Sequence, residues 1–190
     1  MSSSTRSSDA LLDAAATLIA ESGLDGLTLS AVAEHAGVSR ATAYREFGDK
    51  DGLVAAVGRN EVGRMVAAAY EAIDLSAPVP EIARAATLFA LRYLREHRAF
   101  QYVRVNEPAW LLTIAIPHGD SELNLVETVA TVAEPLIAAR ADTGLALTPR
   151  QAGEVVVRTV LSHALIHGSG LTDEQVAETA ARAISAGPGE

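Results

Sequence analysis

From Leu11 to Leu136 the apolar residues recur at three- and four-residue intervals, and no stretch alternates apolar with polar long enough to make a strand. That pattern restricts the chain to packed helices. Leu11, Ala15, Leu18 and Ile19 share one stripe; Leu29, Val32, Ala33 and Ala36 form a second. Ile82, Ala86, Phe89 and Tyr93 form another, and Leu125, Val129, Val132 and Leu136 another. Caps and breakers divide the pattern. Ser7 or Ser8, Thr28, Ser39 and Asp49 can each start a helix; Thr148 before Pro149, and Thr172 with Gln175, can start two more. Gly23 sits where a left-handed stop is expected, Gly37 breaks the second helix, and Pro78 and Pro80 precede the fifth. Residues 99–116 are mixed, bounded by Pro108 and Pro117, and a helix over 121–140 should kink at Pro135. The expectation is an all-α chain of about nine helices without internal repeats.

Several function classes drop out on composition. The 190 residues contain no cysteine, which excludes disulfides and thiolate zinc sites. The polar start MSSSTRSSDA has no apolar segment of a secretory signal. No uninterrupted apolar run approaches the ~20 residues needed to cross a bilayer, so a cytoplasmic protein with no membrane partner is expected. There is no Gly-x-Ser-x-Gly elbow, HExxH or Gly-rich phosphate loop, so neither an enzyme nor a cofactor is expected.

Residues 28–47 have the cadence of a helix-turn-helix: a short helix, a Gly-containing turn and a second short helix. In the second helix Ala43 and Phe47 face inward with Val38, leaving Ser39, Arg40, Thr42, Tyr44 and Arg45 outward or sideways. The small Ala41 would let the backbone approach a groove. Hydroxyls and guanidinium forks suit phosphate oxygens and guanine edges, yet the net charge is −9. On periodicity alone, a solvated helix kept soluble by its arginines explains the pattern equally well.

The segment LLDAAATLIAESGLDGLTLSAVAEHAGVSRATAYREFGDKDGLVAAV resembles the N-terminal domain of TetR-type (tetracycline-repressor-like) transcriptional regulators over residues 9–57. The likeness rests on the LLDAA start, Gly23, Leu27-Thr28, the AxxAGVS turn at 33–39, and Thr42, Tyr44, Phe47 and Lys50. It implies an N-terminal three-helix bundle with a helix-turn-helix, followed by a helical domain that binds a small-molecule effector and dimerises. It divides the chain into a flexible arm at 1–8, a DNA-binding domain at 9–52, and a ligand-binding and dimerisation domain at 53–190. A homodimer would set two such heads in successive major grooves of a near-palindromic double-stranded operator, ~34 Å apart. The implied activity is repression relieved by a small molecule; activation, or regulation without an effector, is the alternative. On this likeness Ser39, Arg40 and Thr42 contact bases or nearby phosphates, Tyr44 and Lys50 clamp phosphate, Arg45 faces DNA, and Thr28 and Ser30 touch phosphate. Two departures leave operator preference open. Glu46 would repel phosphate unless it pairs with Arg45 or accepts from cytosine, and Gly48-Asp49 replaces the commoner Pro-Ser before the lysine.

Charge placement answers the apparent conflict. Residues 1–60 hold 5 basic and 8 acidic side chains, and residues 106–190 hold 4 and 11. Affinity must come from local placement of Arg40, Arg45 and Lys50, doubled by a dimer, with Arg6 in the arm as a further contact. Neutralising about four to eight phosphates would make binding fall steeply with salt.

In the remainder, Phe89, Tyr93, Phe100, Tyr102, Arg104, Asn106, Trp110 and His118 gather much of the aromatic content, as expected of a ligand pocket. Arg104, between two valines, calls for an anion or a carboxylate such as Glu107. His163 and His167, one turn apart, are read as packed or pocket-facing; no carboxylate is evident beside them, so no metal is expected. The helix over 149–167 is apolar except for a strip around Arg158 and Ser162, which calls for burial on two sides, one against a partner chain. Gly52, Gly58 and Gly63 soften the fourth helix, making it the candidate two-state element.

Overall fold

Most helix starts follow from a side chain that takes up a backbone N–H the helix cannot satisfy internally. The computed structural model describes residues 3–115 and 144–185 except 167, with single positions at 131, 134 and 138. Nine helices lie among these residues. They are α1 (Ser3–Ser22), α2 (Leu29–His35), α3 (Arg40–Phe47), α4 (Lys50–Ala72) and α5 (Val79–Glu96), then α6 (Arg98–Asn106), α7 (Pro108–Ala115), α8 (Pro149–Leu165) and α9 (Asp173–Ile184). Among the described residues the only β pairing is one isolated antiparallel bridge, Leu145 with Ser185. The helix expected over 121–140 with its kink at Pro135, and the residues His118 and His167, lie outside the described residues.

Thr28 Oγ1 accepts from the Ala31 N–H (3.1 Å), Ser39 Oγ from the Thr42 N–H (3.1 Å), and Asp49 Oδ1 from the Gly52 N–H (2.9 Å). The stops at Gly23 and Gly37 have φ of +78° and +67°, the left-handed region where glycine carries no Cβ penalty. The start expected at Ser7 or Ser8 lies instead at Ser3, so the segment read as an arm is helical from there and Arg6 sits exposed on α1. No Gly or Pro interrupts residues 3–10, and serine costs only about half a kcal/mol against alanine, so a helix anchored by Leu11 and Ala15 propagates backward.

Packing groups the chain into two units: the first runs to Gly63 and resumes at His97, and the second takes Arg64–Glu96 with the later residues. The division falls within α4 after Gly63, beyond the boundary expected at residue 52. In the first unit Leu11, Ala15 and Ile19 of α1 meet Val32 and Ala33 of α2, Ala43 of α3, Leu53 and Val57 of α4 and Val103 of α6. Every one of these is buried.

The second unit is organised on α5, which packs against α8 and α9. Val79 and Ala83 join Ala152 and Ile184, while Leu91 joins Val160 and Val176. The buried stripe of α5 is therefore Val79, Ala83, Thr87 and Leu91; Ile82, Ala86, Phe89 and Tyr93 are only half-buried. The buried line steps by four residues throughout and passes through Ala83 and Thr87, each one position after the expected Ile82 and Ala86. Small Ala83 and Thr87 let two helices approach α5 closely, and Thr87 tolerates full burial because its Oγ1 donates to the Ala83 carbonyl (2.8 Å).

Both later helices begin with reciprocal capping boxes, Thr148 with Gln151 and Thr172 with Gln175. Thr148→Ala and Thr172→Ala are each expected to cost about 1 kcal/mol of stability, read by denaturant unfolding. Loss below about 0.3 kcal/mol for both would show that these helices are held by packing alone.

Gly52 does not serve the flexibility inferred for it. A Cβ there would stand 2.2 Å from the Phe47 carbonyl oxygen, so glycine is what lets α4 begin directly beneath the end of α3. At Gly63 a Cβ meets nothing within 4 Å.

Candidate nucleic-acid interface

The recognition surface is built around one buried methyl group. Ala43 is 1% exposed and fixes the inner face of α3 against α1 and α2, with Val38 and Phe47 packed beside it. The 3.6-residue period then forces Ser39, Arg40, Tyr44 and Arg45 to the outside, where all four are exposed. Tyr44 is 52% exposed, with its ring and hydroxyl open to an approaching phosphate or base. Thr42 is half-buried, and its hydroxyl shares a 2.8 Å hydrogen bond with that of Ser39.

Ser39 Oγ also caps α3, so it is already engaged; when Thr42 donates in the hydroxyl pair, the Ser39 O–H can still donate to a phosphate. The same holds for Thr28, whose Oγ1 caps α2; Ser30 lies half-buried in the first turn of that helix. Arg45 Nη2 lies 3.6 Å from Glu46 Oε1. The pairing tempers the carboxylate that the sequence placed among the cations. With the arginine side chain 68% exposed, the pair is loose enough for phosphate to compete. Lys50, in the first turn of α4, donates from Nζ to the Asp25 carbonyl (3.3 Å). A carbonyl leaves its charge unneutralised and two donors free.

Six of the eight residues proposed for DNA thus lie on the α2–α3 segment between Ser30 and Arg45 or at its cap, and Thr28 and Lys50 flank it. Residues 11–57, which include all eight, match the bacterial regulatory proteins of the tetR family. Over this segment the chain is similar to tetR-family regulators. It is a DNA-binding transcriptional regulator, not an enzyme. This regulator is 29% identical over 188 residues to the HTH-type transcriptional regulator AlkX of Mycobacterium tuberculosis, covering 93% of this chain and 82% of that one. Its fold is similar to that of QsdR, a TetR-family transcriptional repressor of R. erythropolis (TM-score 0.69, 20% identity, 97% of each chain). It is also similar in fold to RolR solved with resorcinol (TM-score 0.65, 16% identity, 96% of this chain and 89% of that one). Among the described residues of this regulator, no helix is long and apolar enough to cross a membrane.

The residues read as a ligand cluster are split between the units. Phe89, Tyr93 and His163 belong to the second; Tyr102, Arg104, Asn106 and Trp110 belong to the first. Phe89 and Tyr93 meet at 5.9 Å between ring centroids, tilted by 31°, with the Arg92 guanidinium 5.8 Å over Phe89. Trp110 packs on the first unit's core, and Asn106 Nδ2 donates to the Tyr102 carbonyl (2.9 Å). Arg104 does not take Glu107. Its Nη2 donates to Gln101 Oε1 (2.7 Å), because α6 ends at Asn106 and Glu107 turns away from the helix. Both Glu107 oxygens instead accept from the Leu24 N–H (2.9 and 3.0 Å).

A carboxylate does stand beside His163. Its Nε2 lies 3.1 Å from Asp173 Oδ1, and the Arg95 guanidinium grips both oxygens of that aspartate. The three residues tie α5, α8 and α9 together. Asp173 was missed because its nearness follows from the turn between two capped helices, which no local spacing reveals. His97 went unremarked altogether. Its Nδ1 accepts from the Phe100 N–H to cap α6 (3.1 Å), which leaves Nε2 to donate to Glu61 Oε2 (2.7 Å). A histidine immediately before a helix was the available signal.

Proposed function

We propose that the protein is a cytoplasmic, homodimeric repressor. It would hold a near-palindromic operator through the α2–α3 heads and release it when a small molecule binds within residues 53–190. The observation that carries this reading is the outward set of α3, where Arg40, Tyr44 and Arg45 stand exposed around buried Ala43 in a chain of net charge −9. A surface cation set that serves only solubility has no need of a half-exposed tyrosine or of a lysine held on a carbonyl at its edge.

QsdR, similar in fold, is described as a repressor, and RolR accommodates resorcinol; both support the ligand-responsive reading. The adjoining Phe89 and Tyr93 rings offer aromatic surface suited to such a ligand. Ile166 and Leu171, 67% and 54% exposed around the α8–α9 connection, supply apolar surface that a second subunit could cover. With α4 running through the division between units at Gly63, that helix is the candidate two-state element.

The test starts from a random-sequence pool. The purified full chain should select a two-fold-symmetric site and protect two half-sites about one helical turn apart. A reporter driven through that site should rise several-fold when the protein is removed from the cell. A fall in the reporter would instead make it an activator, and protection of a single half-site would contradict the dimer.

A further inference from the structure

The polar contacts at the end of α1 form a connected path from α6 to the candidate phosphate contact at Lys50. Glu107 lies just beyond the last residue of α6, yet its carboxylate is spent on the α1–α2 turn, 83 residues earlier in the chain. The Leu24 N–H donates to both oxygens, at 2.9 and 3.0 Å, and the Asp25 N–H donates to Oε1 at 3.4 Å. Leu24 is itself buried, so its backbone is held from both sides. The carbonyl of Asp25 then accepts from Lys50 Nζ at 3.3 Å. Gly23 makes the approach possible: a Cβ at that position would stand 2.2 Å from Glu107 Oε1 and 2.7 Å from Tyr102 Cε1.

We infer that Glu107 is a positioning residue for DNA binding: it fixes the Leu24–Asp25 turn, and through the Asp25 carbonyl it holds the Lys50 ammonium at the edge of the recognition surface. The two N–H groups belong to the Gly23–Leu24 and Leu24–Asp25 peptides, so the carboxylate pins the backbone that leads directly into the Asp25 carbonyl. Lys50 keeps two donors for phosphate while its long stem loses the freedom that weakens most lysine contacts. Because Glu107 belongs to the end of α6, any shift of that helix reaches the ammonium through two hydrogen-bonded peptides. The inference rests on the reading of Lys50 as a phosphate contact.

The experiment uses the full chain and a duplex that the wild type selects from a random-sequence pool, with Kd followed from 50 to 300 mM KCl. Glu107→Ala should weaken binding about tenfold at 150 mM salt and make the salt slope shallower by about two per dimer, one phosphate contact per subunit. Lys50→Ala should do the same, and the double variant should bind no more weakly than Lys50→Ala alone. Glu107→Gln keeps one acceptor for the turn and should recover part of the loss; it also carries the test if the alanine variant does not fold. An unchanged salt slope in Glu107→Gln and Glu107→Ala, or additive losses in the double variant, would overturn the inference while leaving repressor function intact. If the wild type selects no duplex, the reading of Lys50 fails and this inference fails with it.

Discussion

Gly23→Ala should unfold the first unit far more readily than any other exchange of a turn glycine for alanine. Two costs add at this position. An L-residue at φ +78° loses roughly 1–2 kcal/mol, and the new methyl would collide with Glu107 and Tyr102 on side chains already fixed by hydrogen bonds and packing. Together they predict about 3 kcal/mol of destabilisation, a fall in Tm on the order of 10 °C for a unit of this size. Gly37 provides the control. Its φ is +67°, but a Cβ there meets nothing within 4 Å, so Gly37→Ala should cost only about 1 kcal/mol. Equal losses at the two sites, measured by thermal unfolding, would mean that backbone conformation alone matters and that the Glu107 approach is slack.

The second large effect concerns DNA. Replacing Arg40, Tyr44 and Lys50 together by alanine removes two cations and one aromatic hydroxyl from each head, six groups in a dimer. At about 0.7–1 kcal/mol for each exposed contact, affinity should fall by roughly a thousandfold to ten-thousandfold. None of the three belongs to the buried core, so subunit mass and the unfolding midpoint should stay close to those of the wild type. Electrophoretic retardation alongside analytical ultracentrifugation separates the two readouts. Undiminished retardation by an intact dimer would mean that α3 is only a solvated helix. Arg45→Ala alone should cost less, since part of its charge is already met by Glu46 at 3.6 Å.

The capping box at Thr172 and Gln175, the start at Thr148 and Pro149, the stops at Gly23 and Gly37, and the inward Ala43 and Phe47 were legible in the sequence because each depends on residues within four positions of one another. What was not legible depends on partners far along the chain. The stripe of α5 looked centred on Phe89 and Tyr93 because bulk attracts attention; the true contact line runs through Ala83 and Thr87, whose small size matters only once α8 and α9 are in place. Glu107 looked like the partner of Arg104 because three residues apart on a helix are neighbours. The helix ends between them, so the rule does not apply. Asp173 reaches His163 across a turn, and Gly52 is needed because of a carbonyl five residues back rather than for softness. For the candidate interface, local spacing correctly placed the outward residues of α3, but it could not show that Lys50 is held on the Asp25 carbonyl.

The central claim is that a few cations, displayed at one surface of an acidic chain and duplicated by a second subunit, suffice to bind duplex DNA. The salt dependence of wild-type binding tests it most directly, with log Kd measured against log[KCl] on the selected duplex. A slope of about four to seven is expected, reflecting four to eight neutralised phosphates. A slope near zero, or no retention of any duplex at 50 mM KCl, would contradict it.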